Sequence, residues 1–182
     1  LRLDCRQWVS LVIYSVALIG LYAISTLLHS LFFTAARPIF QRLDHSMIFI
    51  LIAGTYTPYC ALFLPTPTAI PLLGWVWGLS LLGVVGHWFQ PPGWSYLETG
   101  AYIVLRWLCL TAGTQFLHAL GPLRFSLLVS GGVTFTLGAD IYRFCPLRPA
   151  HTWWPLAGIF SNSVMFSFLF ISLVFYVSFN HL

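Results

Sequence analysis

LDHSMIFILIAGTYTPYCALFL, residues 43–64, is a mostly apolar run long enough to cross a bilayer core, which takes about 20 helical residues. Breaks that contain proline or glycine, such as TAARP and QPPGWS, separate it from similar runs. Because these loops are short, consecutive helices must be antiparallel. The sequence therefore predicts an all-α bundle, a single transmembrane domain over residues 1–182, with six spans at residues 8–33, 43–64, 70–88, 101–119, 125–142 and 153–179.

The composition supports a membrane location. Only 7% of the 182 residues are charged and 59% are hydrophobic, whereas a soluble domain carries about 25% charged residues. The eight basic residues are all arginines scattered one or two per loop. That distribution is typical of topology signals and excludes a nucleic-acid-binding surface. The four cysteines show no CxxC spacing, so no disulfide framework is expected.

The arginines near span ends also predict an orientation. Arg37, Arg42, Arg143 and Arg148 lie on one side, whereas Arg2, Arg6 and Arg124 lie on the other. This excess places the TAARPIFQR loop in the cytoplasm, and we expect the plasma membrane as the location.

Three polar residues fall at one level of the predicted bundle. His29 ends the first span, Asp44 opens the second and His151 opens the last, so all three face the side of the TAARP loop. Imidazole and carboxylate groups that converge in a partly dry site are typical zinc ligands. Asp44 would then bind the metal or hold and deprotonate a water beside it. The alternative is that the histidines lie among headgroups and Asp44 caps its helix.

Several motifs resemble those of the hemolysin III family, which belongs with the progestin and adipoQ receptors. They are SxxxH at Ser25 and His29, RLDHSMIFILIAGTYTPY from Arg42, and further matches in LGWVWGLSLLG, YLETG and GGVTFTLGADIYR. Members of that family have seven helices, so the resemblance implies helices two to seven here, with the first absent.

The resemblance also implies a zinc site in which one ligand position is altered. The histidine of SxxxH and two histidines of an HxxxH motif hold zinc in relatives, and an acidic residue holds its water. These positions correspond to His29, His151, Pro155 and Asp44, with Ser25 in support. The chain reads HTWWPLAG from His151, and Pro155 has no side chain that can bind a metal. The expected zinc site is therefore weakened.

Other polar residues have simpler interpretations. Arg106 is expected to contact Asp140, with Glu98 as an alternative partner, or both charged groups extend to the membrane surface. His45, His87, His118 and His181 lie at span ends without partners at ligand spacing, so they are interpreted as interfacial histidines.

Two functions remain open from the sequence. The resemblance implies a zinc-dependent membrane hydrolase of lipid amides, which would reach the site from the bilayer. The alternative is a non-catalytic membrane protein, either receptor-like or a cytolytic pore-former.

Overall fold

A computed structural model describes residues 4–31, 33–89, 95–144 and 158–171, and every element in them is helical. The α-helices are α1 (Cys5–Ser30), α2 (Arg37–Phe63), α3 (Thr66–Phe89), α4 (Ser95–Trp107), α5 (Gly113–Leu120), α6 (Pro122–Phe144) and α7 (Gly158–Ile171). A short 3-10 helix, Leu108–Ala112, connects α4 to α5. The prediction of an all-α membrane protein with six spans is confirmed, with residues 95–120 forming one helical run.

Four helical runs are long and apolar enough to cross a membrane. They are Cys5–Ser30, Arg37–Phe63, Thr66–Phe89 and Glu98–Leu120. Two shorter apolar helices, Phe125–Thr134 and Gly158–Ile171, fall within the last two predicted spans. The chain is therefore an integral membrane protein, while its assignment to the plasma membrane stays a prediction.

The structure divides into two compact units, Arg2–Ala112 and Gly113–Leu182, the second of which also takes in Leu1. The prediction of one domain over residues 1–182 therefore stays a prediction.

In the first unit, α2 is the central helix. Its residues 51–60 are all buried, whereas α1 and α3 each bury one face only. The buried residues of α1 are Gln7, Ser10, Tyr14 and Ala17, and those of α3 are Ala69, Leu72, Val76 and Ser80. Steps of three and four residues place each set on a single helical stripe. Helices α1 and α3 therefore pack against α2 with these stripes and turn their other faces outward.

Two glycines allow α2 to approach its neighbours closely. A Cβ atom on Gly54 of α2 would lie 2.9 Å from the Cβ atom of Ala17 in α1. A Cβ atom on Gly83 of α3 would lie 2.4 Å from the ring of Phe49 in α2. Small residues at such crossings are the usual means of close packing between membrane helices.

The second unit contains α5, α6 and α7. Gly121 ends α5 in the left-handed region, with φ of 76°, and its N–H donates to the Leu117 carbonyl at 2.9 Å. Glycine is the residue that adopts this helix-ending conformation without strain. Between α6 and α7, the Ser161 hydroxyl donates to the Gly131 carbonyl at 2.9 Å.

Candidate metal centre

Four helix ends meet on one side of the first unit. Helix α1 ends and α2 begins there, and α3 ends where α4 begins, because each short connection reverses the chain direction. Helix α2 packs against α1, α3 and α4. This side of the unit therefore collects the polar residues near those helix ends, which are His29, Asp44, His45, His87 and Glu98.

The described part of the predicted site comes together at the α1–α2 end. Ser25 and His29 are one helical turn apart on α1, and both face the Asp44 carboxylate of α2. Ser25 interacts with Asp44 through a side-chain hydrogen bond, and His29 interacts with it electrostatically. The Asp44 Oδ1 atom is buried and has no hydrogen-bond partner among the described residues. His151 and Pro155 lie outside those residues, so the complete predicted site stays a prediction.

A second group lies beside it and was not predicted. The Glu98 carboxylate of α4 is placed between two imidazoles, one from α2 and one from α3. The His45 Nδ1 atom lies 3.2 Å from Glu98 Oε2, and the His87 Nδ1 atom contacts Glu98 Oε1. The two rings are 5.3 Å apart between centroids and inclined by 36°. We call these three residues the His–Glu cluster.

The interpretation of His45 and His87 as interfacial histidines without partners was wrong. His87 is mostly buried, and both rings contact a glutamate that is only 7% exposed. Glu98 was considered as a partner for Arg106, but its carboxylate is held by these two histidines. The signal that could have found the cluster is the topology, which places all three residues at helix ends on one side.

Neighbouring side chains hold the start of α2 against α3 and α4. The Tyr102 hydroxyl of α4 donates to the His45 carbonyl at 3.1 Å. The Trp88 indole N–H of α3 donates to the Ser46 hydroxyl at 3.2 Å. These bonds fix the backbone on either side of the His45 side chain, so that its ring has a defined position next to Glu98.

The His–Glu cluster could hold a metal ion. One ligand atom from each residue can be chosen so that all three atoms lie within 4.8 Å of one another. Two histidines and one glutamate are also the protein ligands of several catalytic zinc sites.

Arg106 lies deeper in the first unit. It is 7% exposed and interacts electrostatically with Tyr14, Tyr56, Tyr59 and Cys109. The Asp140 side chain lies outside the described part of the structure. The predicted Arg106–Asp140 contact therefore stays a prediction.

Comparison with known proteins gives a consistent result. The sequence profile of the family described as Haemolysin-III related matches residues 3–161. The chain is 34% identical over 158 residues to "Hemolysin-3" of Bacillus cereus, covering 87% of this chain and 72% of that protein. It is 35% identical over 158 residues to "Hemolysin-3 homolog" of Bacillus subtilis (strain 168), covering 87% and 74% respectively. No solved structure matches the chain.

Proposed function

The chain belongs to the hemolysin III family, and from that membership we propose that it is a zinc-dependent membrane hydrolase of lipid amides. The single observation that carries the proposal is the environment of Asp44. This carboxylate has a buried oxygen without a hydrogen-bond partner among the described residues, next to the Ser25 hydroxyl and within electrostatic reach of His29.

The described donors fit a zinc ion by their chemistry. His29 offers an imidazole nitrogen, and Asp44 offers a carboxylate oxygen that no described group uses. His151 would add a second imidazole, whereas Pro155 offers no ligand atom. The proposed ligands are therefore His29 and His151, with Asp44 either joining them or acting on the water.

The chain's own groups can carry the proton transfers of amide hydrolysis. A bound zinc ion would supply Lewis acidity that polarises the amide carbonyl. Asp44 Oδ1 accepts a proton from water as the water oxygen attacks the carbonyl carbon. When the C–N bond breaks, Asp44 returns that proton to the leaving amine. The products are a carboxylate and an amine, and the Ser25 hydroxyl keeps the Asp44 carboxylate oriented.

The position of Asp44 supports a lipid substrate. The residue lies near the start of a membrane-spanning helix, about two turns into α2. An amide that joins a fatty acyl chain to a polar base would lie at about this depth, with its chain among the lipids. Polar water-soluble amides would have to leave water to reach the same position.

Hydrolysis of a ceramide by the purified protein in detergent tests the proposal, with release of fatty acid as the readout. We expect turnover by the natural chain, loss of turnover with a zinc chelator, and at least a hundredfold loss in Asp44→Asn. Asp4→Asn is the matched control, because Asp4 caps α1 at the opposite end of that helix and asparagine caps as well as aspartate. Equal turnover by the two variants would refute the role of Asp44.

A second candidate function is membrane permeabilisation, which the names of the two Bacillus relatives favour. Dye release from liposomes that contain the purified protein tests it. Release that depends on protein concentration and persists in Asp44→Asn would support permeabilisation and argue against a hydrolytic cause.

A further inference from the structure

We propose that the His–Glu cluster is a second metal site, which takes a divalent transition ion of the zinc class. The site is separate from the residues proposed for hydrolysis, and it would exist whether or not the chain hydrolyses lipids. Its three ligands come from three different helices, which are α2 for His45, α3 for His87 and α4 for Glu98.

The spacing of the ligand atoms is close to what one ion requires. Zinc bonds to histidine nitrogen and carboxylate oxygen measure about 2.0–2.2 Å, so two atoms on one ion lie at most about 4.4 Å apart. The chosen atoms of His45, His87 and Glu98 all lie within 4.8 Å of one another. Small side-chain rotations would therefore complete the site without movement of the helices.

The burial of Glu98 favours a cation at this position. A carboxylate in a dry environment is costly unless a positive charge or several hydrogen bonds compensate it. The described partners of the Glu98 carboxylate are the two imidazoles, which are neutral when they bind a metal. A divalent ion would supply the compensating charge and leave room for water as a fourth ligand.

The second ring nitrogen of His87 is an independent observation. The Nε2 atom is buried and has no hydrogen-bond partner among the described residues. With Nδ1–H donated to Glu98, Nε2 carries a lone pair that nothing described uses. Histidines that bind metals commonly donate one ring N–H to a carboxylate and bind the ion with the other nitrogen. His87 is therefore prepared to bind an ion through either nitrogen.

The mixture of donors selects the class of ion. Two imidazoles with one carboxylate suit zinc, cobalt and nickel, whereas calcium and magnesium prefer sites made of oxygen atoms. We therefore expect zinc or cobalt to bind, and calcium or magnesium at the same concentration to leave the site empty.

Cobalt and zinc titration of the purified full chain in detergent, with a competing chelator, tests the proposal. We expect His87→Gln and Glu98→Gln each to lose one equivalent of bound metal, or to weaken it at least a hundredfold. His118→Gln is the matched control, because His118 is an exposed histidine on α5. His29→Ala should keep this equivalent, since His29 belongs to the other proposed site.

A second measurement covers variants that fail to fold. Zinc should raise the thermal unfolding midpoint of the natural chain and of His29→Ala, because an ion that binds only the folded state stabilises it. If zinc raises neither midpoint, or if folded His87→Gln and Glu98→Gln bind zinc as tightly as the natural chain, the cluster is an ion-pair network only. Neither measurement depends on turnover, so failure of the hydrolase proposal would leave this result unchanged.

Discussion

The hydroxyl of Tyr56 in α2 accepts a hydrogen bond of 2.7 Å from the backbone N–H of Cys109. The same hydroxyl donates to the carbonyls of Leu105 and Arg106, at 3.0 and 2.9 Å. A side chain that enters the backbone ladder in this way interrupts the i to i−4 bonds. This contact explains why the helical run after Trp107 tightens into the 3-10 helix Leu108–Ala112.

Tyr56→Phe should destabilise the protein by about 1–3 kcal/mol, because it leaves the buried Cys109 N–H without its acceptor. The free energy of unfolding in a detergent series measures this change. Tyr102→Phe removes a single hydrogen bond, to the His45 carbonyl, and should cost about 1 kcal/mol. Equal costs for the two variants would mean that Tyr56 does not hold the 3-10 segment.

Gly83→Ala should destabilise the first unit by about 1–3 kcal/mol, the usual cost of overpacking. The new methyl group would meet the ring of Phe49, which is almost fully buried and has little room to move. Gly78→Ala, in the same helix, places its methyl group in open space and should change stability by no more than about 1 kcal/mol. Thermal unfolding of both variants in detergent checks the difference.

Ser161→Ala should weaken the contact between α6 and α7 by about 0.6 kcal/mol, the average for such bonds between membrane helices. Its hydroxyl is buried and donates to the Gly131 carbonyl. Ser163 is exposed on the same helix, so Ser163→Ala should have no measurable effect. A comparison of unfolding midpoints tests this, and a larger effect of Ser163→Ala would contradict it.

Cys5 should react with a membrane-impermeant maleimide added outside intact cells. It is exposed at the start of α1, opposite the TAARP loop that the arginines place in the cytoplasm. Cys60 and Cys109 are buried and should stay unmodified. A Cys145→Ala background with Cys5→Ala as control isolates the signal, and labelling of Cys5 only after lysis would reverse the predicted orientation.

The order and approximate bounds of the helices can be predicted from hydropathy, because each span must be apolar over about 20 residues. The 3-10 interruption could not be predicted. Its sequence, LCLTA, contains neither proline nor glycine, and its cause is the hydroxyl of Tyr56, about fifty residues earlier in the chain. Local patterns do not contain a contact of that range.

The candidate sites divide in the same way. Topology alone predicts that His29 and Asp44 lie at one depth, and the structure brings Ser25 and His29 to Asp44. The His–Glu cluster requires one more fact, which is the rotation of each helix about its axis. His45 follows Asp44 directly and so points about 100° away from it around α2, and only the packing of α3 and α4 shows what it meets there.

The burial of α2 has a consequence for bilayers of different thickness. A helix that tilts to match a thinner or thicker hydrocarbon layer must slide past its neighbours. Residues 51–60 of α2 are enclosed on every side, whereas the outer faces of α1 and α3 present exposed apolar residues such as Val16 and Leu82. Adjustment to thickness therefore falls to the outer helices, and α2 keeps Asp44 and His45 at a constant depth as the lipid composition changes.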